Sequence, residues 1–177
     1  MLSILYLFGV PILIGIVSAI VIARIDRGSH SWVEHAATGL RIFFGAHLVY
    51  SSYRYFFSHH ISIDHPLAGP FIDSIEAMGL FPGIKALEFV IGVLLLSNRF
   101  VPLALVLEMP TTMTIFFLNT FITHTPITVV TGPVELAVNG LLLLAYFQCF
   151  KPMLVARAKF GPPGFEDNRP QSPPSKA

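Results

Sequence analysis

The sequence is poor in the residues with which soluble proteins face water. Charged residues make up 12% of the 177 positions, whereas hydrophobic residues make up 54%. A soluble domain carries roughly a quarter charged residues. The shortage therefore excludes a soluble globular protein and predicts an integral membrane protein, with the lipid bilayer as its main partner.

Cysteine and net charge are scarce as well. Cys149 is the single cysteine, which excludes an internal disulfide framework and a cysteine-based metal cluster within one chain. The formal net charge of +1 gives no indication of a nucleic-acid partner. Phosphate-binding glycine motifs, Ser-His-Asp spacing and an activated cysteine are missing, so no residue receives a catalytic role. We interpret the chain as having no catalytic activity on its own.

What the sequence does contain is long apolar runs. Crossing a bilayer takes about 20 apolar residues, or somewhat fewer when flanking side chains reach the interface. Five segments qualify, namely residues 2–23, 36–57, 82–97, 100–121 and 133–150. The first is interpreted as a retained helix, because it is too long for a secretory signal and has no basic residues before it. Lys85 and Arg99 are expected to extend the short third segment by reaching the two interfaces.

Lysine and arginine are missing from two connections, residues 58–81 and 122–132. The other connections and the C-terminal region carry basic residues, which the positive-inside rule places in the cytoplasm. The predicted topology is therefore an outer N-terminus and a cytoplasmic C-terminus in the inner membrane. The predicted fold is an all-α membrane protein with five spans: an N-terminal transmembrane helix (1–24), a four-helix transmembrane bundle (36–152) and a disordered cytoplasmic tail (160–177).

Two further local patterns bear on packing. Gly15 and Ala19 form a small-xxx-small step that predicts close approach of the first helix to a neighbour. Residues 70–79 carry apolar side chains at Phe71, Ile75 and Met78, with proline at the start and glycine at the end. This pattern predicts a short amphipathic helix on the outer membrane surface, where it would cap the bundle.

Each of the last four segments carries polar side chains on one face. Counting depth at about 1.5 Å per residue gathers six of them in the outer half of the bundle. These candidate ligand-binding residues are His47, Arg54, Glu88, Asn119, Glu135 and Asn139. Glu108 falls nearer the middle of the membrane, beside a bend predicted at Pro110.

The mixed charges leave two interpretations open. In the first, Arg54 pairs with Glu88 or with Glu135 and ties helices together. In the second, the cluster forms a pocket open to the outer face that binds a polar-headed apolar molecule such as a quinone. Metal binding is less well supported, because the Glu-x-x-His pairs of di-iron bundles are missing. The loop residues His59, His60, Asp64 and His65 are weak candidates for a surface metal site.

The hairpin over residues 82–121 resembles the DoxX family of small membrane proteins. The likeness is carried by Lys85-Ala86-Leu87-Glu88, Gly92, Leu94-Leu95-Leu96, Asn98-Arg99-Phe100-Val101-Pro102-Leu103-Ala104-Leu105 and Pro110, and it extends over about residues 36–152. Gly39-Leu40-Arg41-Ile42-Phe43-Phe44-Gly45 resembles the first helix of that family. Two features depart from the pattern: the additional N-terminal helix, and Asn119 where relatives tend to have histidine.

The family takes its name from the membrane subunit of a thiosulfate:quinone oxidoreductase, so the resemblance implies membrane redox chemistry or quinone association. We therefore predict an accessory, structural subunit of a larger membrane electron-transfer assembly, with other membrane subunits as partners. The alternative is a quinone-binding oxidoreductase subunit in which Glu88 and His47 transfer protons. A transporter is less well supported, because no inverted repeat is visible. The sequence leaves open whether the chain also forms a homo-oligomer.

Overall fold

The computed structural model describes residues 9–25, 31–58 and 64–154, and these residues contain helices and no β-strand. The helices are α1 (Val10–Ile25), α2 (Trp32–Ser58), α3 (Ala68–Ala77), α4 (Leu80–Leu96), α5 (Val101–Phe117), α6 (Thr128–Ala145) and α7 (Phe147–Phe150). A π-helical segment, Leu118–Thr123, continues α5, and a 3₁₀ turn, Lys151–Leu154, follows α7. The all-α prediction is confirmed for this part of the chain. The predicted tail, residues 160–177, and the first residues of the first predicted span lie outside the described residues.

Several of these helices are apolar enough to lie in a membrane. Val101–Thr123, with 23 residues, and Thr128–Ala145, with 18, are each long and apolar enough to cross one. The pair α3 and α4, bent by 84°, passes as a third span if it is counted as one, and α1 is apolar but shorter. Large apolar side chains such as Leu103 and Leu144 stay more than half exposed, which suits contact with lipid. The chain is a membrane protein by these features, while the count of five spans stays a prediction.

Two helices begin earlier than the hydrophobic pattern predicts, because polar side chains cap their first turns. At the start of α2, the backbone N–H of Ser31 donates to the Glu34 carboxylate at 2.7 Å, and the Glu34 N–H donates to the Ser31 hydroxyl at 3.4 Å. Before α6, Thr125 and Thr128 exchange the same pair of bonds, at 3.0 and 3.2 Å. These reciprocal bonds satisfy N–H groups that have no partner within the helix. Both helices therefore extend beyond the predicted spans, which start at residues 36 and 133.

The predicted hairpin and the predicted surface helix are both present. The turn between α4 and α5 places Asn98 and Phe100 at positive φ, 56° and 51°. The helix predicted at residues 70–79 is α3, and Gly79 follows it at a φ of 77°, a conformation that glycine adopts without strain. The side of α3 that packs on the protein is formed by Ala68, Gly69 and Ile72, whereas Phe71 and Met78 stay exposed. Its position on a membrane surface stays a prediction.

Glycines bring the helices together. A Cβ added to Gly39 on α2 would lie 2.7 Å from the Cβ of Ala19, and one added to Gly15 would lie 2.9 Å from the carbonyl oxygen of Gly39. This confirms the predicted close approach of α1, which packs on α2. Gly45 on α2 and Gly92 on α4 form a second close approach. The remaining contacts close a ring of four helices: α2 packs on α4, α4 on α5, α5 on α6, and α6 on α2.

Buried side chains divide into an apolar and a polar group. The apolar core contains Phe44 and Leu48 of α2, Ile91 and Leu95 of α4, Val101, Ala104 and Leu105 of α5, and Val138 and Leu142 of α6. Along α4 the apolar members follow the buried polar residues, and along α5 they precede them; on α6, Val138 lies next to the buried Asn139 and Leu142 follows it. Because α5 runs back from the turn after α4, the apolar core lies towards that turn and the polar group lies beyond it.

Candidate functional site

The polar group comes from four helices, and we call it the polar layer. Its members are His47 and Ser51 of α2, Lys85 and Glu88 of α4, Glu108 and Thr112 of α5, and Glu135 and Asn139 of α6. Burying ionisable groups costs several kcal/mol per ion unless partners compensate. The hydrogen-bond partners of each member therefore decide what the layer can do.

Glu88 is paired with a lysine on its own helix. The ammonium Nζ of Lys85 donates to Glu88 Oε2 at 2.7 Å and to the Ser51 hydroxyl at 3.2 Å. Both side chains are almost fully buried, at 7% and 3% exposure. Lys85 was predicted to reach the membrane interface, and that prediction is wrong. One turn of helix brings it over Glu88 on the buried face, where the carboxylate compensates its charge.

Glu135 on α6 is paired with a histidine on α2. His47 Nε2 on α2 lies 3.1 Å from Glu135 Oε1 on α6. The His47 ring also stacks on Phe43, with ring centroids 6.2 Å apart. Glu88 lies near enough to both His47 and Glu135 to interact with them electrostatically. Imidazole and carboxylate groups are side chains that commonly transfer protons in proteins.

Arg54 is a predicted site residue, but the structure does not pair it with a carboxylate. Among the described residues it forms no ion pair with Glu88 or Glu135, which pair with Lys85 and His47 instead. Arg41, which carried no role in the sequence interpretation, is buried and donates from Nη1 to the backbone carbonyl of Leu95. It thereby satisfies a carbonyl in the last turn of α4.

The two predicted asparagines lie in different places. Asn139 is fully buried in the polar layer, where its Nδ2 donates to the Thr112 hydroxyl at 3.2 Å. Asn119 lies in the π-helical segment after α5, and its Nδ2 reaches Thr131 Oγ1 at 3.4 Å. A Cβ added to Gly132 would lie 2.9 Å from the Cβ of Asn119, so this residue packs at the α6 interface. It is not part of the polar layer.

Glu108 belongs to the polar layer more closely than the depth count predicted. Its charge would act on Glu88, Lys85 and Glu135, so all four side chains share one electrostatic environment. Thr112, one turn further along α5, links it to Asn139. The signal for this site was present in the sequence, because Glu108 and Thr112 are four residues apart and lie on one helix face.

The weak metal candidates remain unsupported by geometry. His59 and His60 lie outside the described residues. Asp64 is exposed, and His65 Nδ1 accepts hydrogen bonds from the backbone N–H groups of Leu67 and Ala68, both at 3.2 Å, which caps the start of α3. Within the described ranges no group of three or more histidine, cysteine, aspartate or glutamate side chains is arranged to hold a metal ion.

An apolar groove lies beside the polar layer. It has a volume of about 340 Å³ and is formed by α1, α2 and α6. Its lining consists of Ile12, Gly15, Ile16 and Ala19 of α1, Ala36, Gly39, Leu40 and Phe43 of α2, and Val134 of α6. None of the lining residues is polar, but Phe43 stacks on His47, so one lining side chain contacts the His47–Glu135 pair. The sequence did not predict this groove, because it depends on how α1 packs.

Comparison with known proteins found no relative of this chain. No protein-family model, no curated protein and no solved structure matches the chain.

Proposed function

We propose that this protein is a DoxX-like subunit of a membrane redox assembly that binds a polar-headed apolar molecule of the quinone class. The observation that carries the proposal is the apolar groove whose lining residue Phe43 stacks on His47 of the His47–Glu135 pair. A volume of about 340 Å³ falls within the range of roughly 300–1,000 Å³ that small-molecule sites occupy. An apolar chain would fill the groove, and a carbonyl or hydroxyl head group would lie past Phe43, towards the His47–Glu135 pair, which we call the polar end.

The polar end has the chemistry that a quinone head requires. Reducing a quinone to a quinol takes two electrons and two protons. His47 and Glu135 can pass on the two protons one after the other, with each proton replaced from the aqueous side, and the Lys85–Glu88 pair lies near enough to influence them electrostatically. The electrons would come from a partner redox subunit of the assembly. The role of this chain is then to hold the ligand and to position protons.

Quinone retention tests the proposal directly. Wild-type protein purified in a mild detergent is expected to carry quinone, measured by solvent extraction and mass spectrometry. His47→Leu should lose the ligand because the polar end loses its hydrogen bond, and Ala36→Phe should lose it because the ring fills the groove. The matched control is Val33→Phe, which adds the same ring to an exposed position one turn earlier on α2, outside the groove. Quinone missing from wild type, or retained equally by all variants, would refute the proposal.

A structural accessory role is the second candidate, and the closed ion pairs favour it. His47–Glu135 ties α2 to α6, and Lys85 links Glu88 to Ser51 on α2. If the polar layer serves assembly alone, the purified protein should carry partner subunits and no quinone. A protein that purifies alone, without either, contradicts both candidates.

The proposal includes the topology of five spans with an outer N-terminus and a cytoplasmic C-terminus. It is supported by the positions of lysine and arginine in the sequence. The native cysteine offers a test, because Cys149 is exposed at the end of α7. A membrane-impermeant maleimide should label Cys149 only after cells are permeabilised. Asp73→Cys in a Cys149→Ser background should react in intact cells, since Asp73 is exposed on α3. The reverse labelling pattern would overturn the orientation.

A further inference from the structure

Glu108 is a buried carboxyl group without a hydrogen-bond partner. The residue is 0% exposed, and neither carboxylate oxygen accepts a hydrogen bond from the described residues. An ionised carboxylate in such surroundings costs far more than a neutral one, because protein dipoles or a counter-charge must replace its hydration. The observed surroundings of Glu108 supply neither.

The nearby positive charges are already engaged. From α4, Lys85 bonds to Glu88 at 2.7 Å. From α2, His47 bonds to Glu135, whereas Arg41 lies beside the last turn of α4, where it donates to the Leu95 carbonyl. The remaining charged neighbours are Glu88 of α4 and Glu135 of α6, and both are acidic. Like charges in a shared site disfavour ionisation of the carboxyl group that has no partner of its own.

Asn139 on α6 has a buried hydrogen-bond acceptor that receives no donor from the described residues. Its Nδ2 donates to Thr112 Oγ1 at 3.2 Å, whereas its Oδ1 is buried and has no donor. The Thr112 hydroxyl donates to the backbone carbonyl of Met109 at 3.0 Å, so it acts as the acceptor for the Asn139 amide. That arrangement fixes the amide orientation and leaves Oδ1 as an acceptor. A protonated carboxyl group on the facing helix would supply the missing O–H donor.

We propose that Glu108 is a proton-binding site, which holds a proton at neutral pH and donates it in a hydrogen bond towards Asn139 Oδ1. The ligand is the proton itself, bound between α5 and α6. This site is separate from the quinone-binding groove and does not rest on the function proposed above. The neutral acid can both donate and accept a hydrogen bond at this buried position, whereas the carboxylate can only accept.

Infrared spectroscopy of the full-length protein in detergent tests the site. At pH 7 the wild-type spectrum should contain the C=O stretch of a protonated carboxylic acid, with the shift on transfer to heavy water that an O–H group produces. Glu108→Gln should remove the band while leaving the helical content unchanged, because glutamine has the same shape and is neutral. Asp73→Asn is the matched control, since Asp73 is an exposed carboxylate on α3 and the Glu108 band should persist.

A second variant covers the case in which Glu108→Gln fails to fold. Asn139→Leu removes the acceptor and should shift the frequency of the same band without abolishing it. Three results would overturn the proposal: no acid band at pH 7, a band that Glu108→Gln leaves in place, or loss of the band when sodium chloride is added at constant pH. The last would identify a cation site instead.

Discussion

Replacing Lys85 with methionine is expected to destabilise the protein by about 3–5 kcal/mol, the cost of leaving a buried charge without its partner. Glu88 is 2% exposed and receives its 2.7 Å hydrogen bond from Lys85. Methionine fills a similar volume, so the loss reflects the charge rather than a cavity. Denaturant unfolding in detergent micelles, followed by circular dichroism, measures the effect.

A double-mutant cycle separates this pairing from a general effect of the substitution. Lys85→Met with Glu88→Gln removes both charges and should recover much of the lost stability, since no ion is left unpaired. Lys151→Met is the matched control, because Lys151 is exposed after α7 and should change stability little. If Lys85→Met behaves like Lys151→Met, the buried pair contributes no stability and its assignment here is wrong.

Gly92→Ala is expected to be the second most damaging change, at about 1–3 kcal/mol. The new Cβ would lie 2.8 Å from the Gly45 carbonyl oxygen and 2.8 Å from Val49 Cγ2. Backbone on one side and a packed side chain on the other leave α2 and α4 no way to relieve the overlap without moving apart. The same unfolding measurement in micelles applies.

Gly140→Ala is the control for Gly92→Ala. Both glycines are helical, but a Cβ at Gly140 meets nothing within 4 Å. Alanine favours a helix interior over glycine by up to about 1 kcal/mol, so Gly140→Ala should be neutral or stabilising. Equal destabilisation by the two substitutions would show that the close contact between α2 and α4 is not what makes Gly92 necessary.

The local pattern of apolar residues predicted that these helices exist, but it did not predict the residues at which they begin. Long apolar runs predicted the helical stretches around residues 100–121 and 133–150, and the structure has helices at both. The first residues of α2 and α6 escaped prediction because reciprocal bonds from Ser31–Glu34 and Thr125–Thr128 start these helices before the apolar pattern does. The S-x-x-E signature of the first was visible in the sequence and indicates such a cap.

The composition of the candidate site was largely predictable, and its pairing was not. His47, Glu88, Glu135 and Asn139 were expected together and lie together in the polar layer. Arg54 was expected to neutralise a carboxylate, yet the carboxylates pair elsewhere. Each step along a helix turns the side chain by about 100°, so a small error in rotation exchanges one partner for another.

The sequence by itself determined that the chain is helical and apolar, and that ionisable residues occur inside its apolar helices. These are properties of composition and periodicity, which act within a single helix. The tertiary structure alone decided that Lys85 is buried over Glu88, that α1 forms an apolar groove with α2 and α6, and that Glu108 is buried without a hydrogen-bond partner among the described residues. Hydrogen bonds act over about 3 Å, so they depend on helix rotation and spacing, which no single helix specifies.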